Sequence, residues 1–136
     1  MDRRRPASDT GAAAVEFALI SVVLLTLLLG IVQYGFFFFQ ASSMSQAASQ
    51  GARQAAVGID SCEDWRDDVT GTVPAVENSI VGVEASPVQQ RGDDLTVTVS
   101  WEPVAFGVVP LPSGPQEQSV RVRAERLGTA SAAGCS

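Results

Sequence analysis

The feature that most constrains this chain is a long run without charge. From Phe17 to Phe39, 23 consecutive residues carry no Asp, Glu, Lys, Arg or His, and the next charged side chain is Arg53. As a helix the run is about 34 Å long, enough to cross a hydrocarbon core of ~30 Å. Its apolar residues fall on every side rather than on one stripe, which argues against a surface helix. A cleaved secretory signal has a shorter apolar core, about 7–15 residues, and a small-residue cleavage site directly after it. Here the core is too long, and Ala41-Ser42-Ser43 offers only a weak site. A twin-arginine export signal fits worse, because Arg3, Arg4 and Arg5 are followed by Pro-Ala-Ser. The readings that remain are a plain membrane anchor and an anchor processed just ahead of its apolar run.

The charge pattern orients the anchor and excludes several function classes. The chain has 136 residues and a formal net charge of −6, and all nine of its basic residues are arginines. The only basic cluster is Arg3-Arg4-Arg5, so the positive-inside rule places the N-terminus in the cytoplasm and the remainder outside. No concentrated basic face exists elsewhere to neutralise phosphates, so a nucleic-acid partner is not expected. With no His and no Lys, the chain can form neither a Ser–His nor a Cys–His pair, and it has no Gly-rich phosphate loop. Glu63, Asp64, Asp67 and Asp68 lack the calcium-loop spacing and read as a solvated helix face. We therefore expect no enzyme, no cofactor and no metal. Cys62 and Cys135 are the only cysteines. In an oxidising compartment, which the topology supplies, they can close one disulfide; the alternative is two unrelated thiols.

One carboxylate, Glu16, heads the uncharged run. Placing an acidic side chain in a bilayer costs about 3 kcal/mol at the centre and less toward the interface. Either Glu16 rests at the interface, where it also favours the helix N-terminus, or it has a partner. Its neighbourhood, GAAAVEFALI from Gly11 to Ile20, resembles the processing signal of type IV prepilins and, more narrowly, the TadE-like family of the tight-adherence (Tad) pilus system. Weaker likenesses follow in AASQGARQAAVG, Ala47 to Gly58, and in the C-terminal run of strand, Pro-rich segment and strand. The resemblance implies cleavage between Gly11 and Ala12 by a membrane-embedded prepilin peptidase, which makes Glu16 the fifth mature residue, with Phe17 after it. It further implies that Glu16 pairs with the new amino group of a neighbouring subunit, fixing the register between helices. Asp2 and Asp9 make the leader less basic than the family's pattern.

Beyond the run, helical character continues to Val57. Ala47, Gly51 and Ala55 form one small-residue row and Ala48, Ala52 and Ala56 the next. They serve either packing among pilin-like helices or packing on the chain's own head. Gly58 suits a helix stop. Asp60 or Ser61 caps a second helix, with Glu63 and Asp64 in its first turn. Trp65, Val69, Val73, Val76 and Ile80 make one apolar stripe, broken near Gly71 and Pro74. Three alternating segments read as strands: Val81/Val83/Ala85, Leu95/Val97/Val99/Trp101 and Val120/Val122/Ala124. Arg91-Gly92-Asp93-Asp94 reads as a hairpin turn, which explains the integrin-type tripeptide Arg-Gly-Asp within it. Pro103 to Pro115 is too Pro-rich for a central strand yet apolar at Ala105, Phe106, Val108, Val109 and Leu111. It reads as a loop over the base of the sheet, or else as a contact surface for another subunit or the outer leaflet.

The expected fold is therefore α+β. Residues 1–11 form a leader and 12–58 a long apolar helix, with a transmembrane anchor at about 17–39. Residues 59–136 form a small extracytoplasmic head of a helix and a three-stranded antiparallel sheet. The expected function is that of a non-enzymatic minor pilin or pseudopilin in Tad pilus assembly, working with prepilin peptidase, other pilin-like subunits and the inner membrane. The alternatives are a pseudopilin of type II secretion and a single-pass anchor carrying an extracellular binding domain.

Overall fold

A computed structural model of the chain describes residues 9–104, 107, 110–131 and 133–135. The leader arginines Arg3, Arg4 and Arg5, and Ala105, Phe106, Val108 and Val109 of the Pro-rich segment, lie outside the described residues. The element order is α1 (Asp9–Ala56), α2 (Cys62–Gly71), a 3₁₀ turn (Glu77–Ser79), β1 (Ile80–Ala85), β2 (Asp94–Trp101) and β3 (Gln116–Arg123). This is the expected α+β fold, with a long first helix, a second helix and an antiparallel sheet.

No proline interrupts α1, so its 48 residues run as one rod of about 72 Å. The helix stops where the sequence suggested. Gly58 adopts φ +103°, and its amide donates to the Ala55 carbonyl at 3.1 Å. A side chain there would strike the backbone of Gly128, whose amide nitrogen lies 2.6 Å from the place of a Cβ. Ser61 caps α2 by accepting from the Asp64 amide at 3.3 Å, with Glu63 and Asp64 in the first turn. The helix ends at Gly71, and Ile80 at the foot of the apolar stripe opens β1 instead of extending a helix.

The sheet is a meander in the order β1-β2-β3. Leu95, Val97, Val99 and Trp101 all point into the core, while Thr96, Thr98 and Ser100 occupy the other face. In β1 the alternation is broken. Ile80 pairs with Trp101 and Gly82 with Ser100, so Val81 is the extra residue of a bulge and lies 64% exposed rather than inward as its spacing predicts. The inner face of β2 and β3 packs on the upper half of α1, and α2 covers the side. Met44, Ala47, Ala48, Ala52 and Ala55 belong to this core together with Trp65, Val69 and Val99.

The small-residue rows are thus used inside the chain. Gly51 is the point of closest approach: a Cβ there would sit 2.8 Å from Val69 Cγ2, and its carbonyl accepts a 3.2 Å hydrogen bond from Trp65 Nε1. The C-terminal segment closes the head. Ser131 Oγ accepts from the amides of Ile59 and Gly128, both at 3.0 Å, and Cys135 is joined to Cys62 as a disulfide with Cα atoms 5.6 Å apart.

Candidate functional site

The lower half of α1 touches nothing else among the described residues. From Gly11 to Val32 every position is exposed except the half-buried Ser21 and Gly30, and these residues include Val15, Phe17, Leu19, Ile20, Leu24 and Leu27. A water-exposed surface of this apolarity is untenable for a soluble monomer. The helix is long and apolar enough to cross a membrane. Because the backbone donors and acceptors are satisfied within the helix, the segment can enter hydrocarbon without orphaned groups.

Glu16 lies at the foot of this surface and is exposed, with no hydrogen-bond or ion-pair partner among the described residues. Phe17 beside it is 72% exposed. Gly11 and Ala12 are exposed one helical turn below, inside α1, which begins at Asp9. A Cβ on Gly11 would meet nothing within 4 Å, so the fold of this chain does not require glycine there. The four residues are therefore close together on a bare helix end, away from the head, and all of them are exposed among the described residues.

The head engages α1 from Gln33 upward, lower than the sequence suggested. Gln33 and Gln40 are almost completely buried, seven residues and hence two turns apart. Gln40 bridges two segments: its Nε2 donates to Ser79 Oγ at 3.3 Å and its Oε1 accepts from the Val104 amide at 3.4 Å. Tyr34 Oη donates to the Pro110 carbonyl at 3.4 Å. The Pro-rich segment is thus held against the helix at both ends of its described part. The Gln33/Gln40 pair was the available signal, being the only amides in the apolar run and its margin; their spacing marks the helix face that seats the head.

Other candidate residues have local roles. Asp93 Oδ2 accepts from the amides of Gln89 and Gln90 at 3.2 and 2.8 Å, so the carboxylate of the Arg-Gly-Asp sequence builds the turn in which it sits. Glu63, Asp64, Asp67 and Asp68 are exposed on α2, and among the described residues no group of three or more His, Cys, Asp or Glu is arranged to hold a metal ion.

A long apolar stem continuous with the spine of a small α+β head defines a class of protein whose helix is able to cross a membrane. Within that class, residues 11–53 match the family model described as TadE-like protein, in agreement with the resemblance carried by GAAAVEFALI. The match begins at Gly11 and covers most of α1, while the sheet lies beyond it. The match is to the stem rather than to the head, so it says what the helix is similar to. Neither the curated proteins nor the solved structures contain a match to the chain.

Proposed function

We propose that the chain is a non-enzymatic minor pilin or pseudopilin that takes part in assembling or priming a Tad-type pilus. The observation that carries this reading is the position of Glu16: an exposed carboxylate, without a partner among the described residues, at the foot of an all-round apolar helix. A charge held there is costly in a bilayer unless another molecule supplies its counter-charge. In this reading a prepilin peptidase cuts between Gly11 and Ala12 on the cytoplasmic side. The amine freed on Ala12 of one subunit then pairs with Glu16 of the next. The bare half of α1 serves first as the membrane anchor and then as a filament-core helix, with the head outside the cytoplasm and docked on other pilin-like subunits.

One observation favours the simpler anchor. The helix runs unbroken from Asp9 through Gly11, so cleavage requires its first turn to unwind. N-terminal sequencing of membrane-extracted protein, with and without the cognate prepilin peptidase, separates the two. A start at Ala12 only when the peptidase is present supports the pilin reading. An uncut N-terminus in both samples leaves a single-pass anchor for an extracellular domain.

A further inference from the structure

The bare helix is short for the bilayer it has to cross. Between Glu16 and Gln33 lie sixteen residues, Phe17 to Val32, a rise of about 24 Å. The hydrocarbon core is ~30 Å thick, so about 6 Å, or roughly four further residues, is missing. Tilting α1 enlarges the shortfall. Short of local thinning of the bilayer, either Glu16 is drawn into hydrocarbon or the lower rim of the head is.

The rim is built for the second outcome. On the side of α1 away from Gln33 and Gln40, the aromatic residues Tyr34, Phe38 and Phe39 remain 40%, 65% and 49% exposed. On the head, Val104, whose amide donates to Gln40 Oε1, is 47% exposed at the same level of the helix. Among the described residues at this level, the polar side chains of Tyr34 and Gln40 have partners within the chain. Tyr34 gives its hydroxyl to the Pro110 carbonyl, and Gln40 spends both ends of its amide on Ser79 and Val104. That is the condition for irregular backbone to lie at membrane depth. Tyrosine is enriched at the boundary between acyl chains and headgroups, and Phe38, one turn above Tyr34, adds apolar surface there.

We infer that the rim formed by Tyr34, Phe38, Phe39 and Val104 is a lipid-contacting surface, seated in the acyl–headgroup boundary of the outer leaflet. The inference rests on α1 spanning the membrane. With Glu16 at the inner boundary, the hydrocarbon ends near Phe36, Tyr34 lies just inside it and Phe38 and Phe39 lie at the border. The head stands directly on the bilayer with no connecting stalk.

Depth-dependent quenching tests this on the full chain in phosphatidylcholine vesicles with bromine at shallow or deep acyl positions. Single tryptophans are introduced by Phe38→Trp, Phe39→Trp, Leu27→Trp and Val57→Trp, and the signal of the native Trp65 and Trp101 is subtracted using the unsubstituted chain. The expected result is loss of emission at positions 38 and 39 with shallow bromines, at 27 with deep bromines, and at 57 with neither. Quenching at 27 without quenching at 38 or 39 overturns the inference while leaving the spanning helix intact. Absence of quenching at 27 overturns the spanning reading and this inference with it.

Discussion

Ala85 and Cys135 face each other as an antiparallel bridge and exchange two backbone hydrogen bonds of 2.7 and 2.9 Å. The side chain of Cys135 is joined to Cys62, at the start of α2. One residue therefore fastens the C-terminal segment to the end of β1 and to the second helix at once. The bond closes a loop of 73 residues in sequence separation. Replacing Cys62 or Cys135 with Ser is expected to lower stability by about 2–5 kcal/mol. Urea unfolding of the detergent-solubilised protein measures this, and wild-type midpoints in both variants would contradict it.

Gly51 is placed to test the seam between α1 and α2. Glycine in a helix interior costs about 1 kcal/mol relative to Ala, yet any Cβ there meets Val69 Cγ2 at 2.8 Å. Gly51→Leu is expected to destabilise the head by about 1–3 kcal/mol through overpacking. Gly51→Ala is expected to gain stability only when combined with Val69→Ala, which removes the obstructing methyls. A double-mutant cycle by chemical denaturation reads the coupling; additive effects would mean that the two residues do not meet.

Gln40 holds the Pro-rich segment to the helix. Gln40→Ala leaves the Val104 amide without its acceptor and Ser79 without a donor. The expected cost is about 1–3 kcal/mol. Hydrogen exchange at the Val104 amide should accelerate more than exchange in the middle of β2. A uniform change along the chain would assign Gln40 a general packing role instead.

Asp93 separates local structure from recognition. Asp93→Ala removes the acceptor for two backbone amides and is expected to cost about 1–2 kcal/mol. Arg91, exposed on the same turn, should tolerate Ala within about 0.5 kcal/mol. Thermal unfolding of the two variants checks the difference. Equal stability combined with equal loss of cell adhesion would instead support a binding role for the tripeptide.

Glu16 has no hydrogen-bond or ion-pair partner among the described residues, so Glu16→Ala is expected to fold and insert into membranes like the unsubstituted protein. Its association with partner subunits should weaken on the order of tenfold, as for loss of one charge-assisted hydrogen bond. Membrane fractionation and co-purification of pilus components are the two readouts. Normal pilus assembly by this variant would leave Glu16 as an interface residue.

The sequence carried much of this architecture. Uninterrupted helix formers predict α1, Asp60 or Ser61 marks the start of α2, the structure choosing Ser61, and strict alternation in Leu95–Trp101 predicts the central strand. Other features were hidden for identifiable reasons. Period-two alternation cannot reveal the bulge that turns Val81 outward, because the bulge depends on how β1 meets Trp101 and Ser100. Rows of alanine suit a neighbour in the same chain and a neighbour in another equally well, and only the packed head assigns Ala47, Ala48 and Ala52 to the former. Hydropathy does not reveal which side of the run the head covers, so the burial of Gln33 and Gln40 beside the exposed Tyr34, Phe38 and Phe39 was not legible in it. A partner for Glu16 in another molecule, as proposed above, would have no signature in a single chain beyond the carboxylate itself.

The continuity of α1 makes the molecule a shaft with a cam. The sheet is fixed to the same proline-free helix that carries the bare surface, so turning the lower half about its axis turns the head through nearly the same angle. Among subunits stacked with a constant rotation, each head would point in a compass direction set by the azimuth at which its stem is gripped. A change of one residue in helix register, about 100°, would swing the head from one side of the stack toward another.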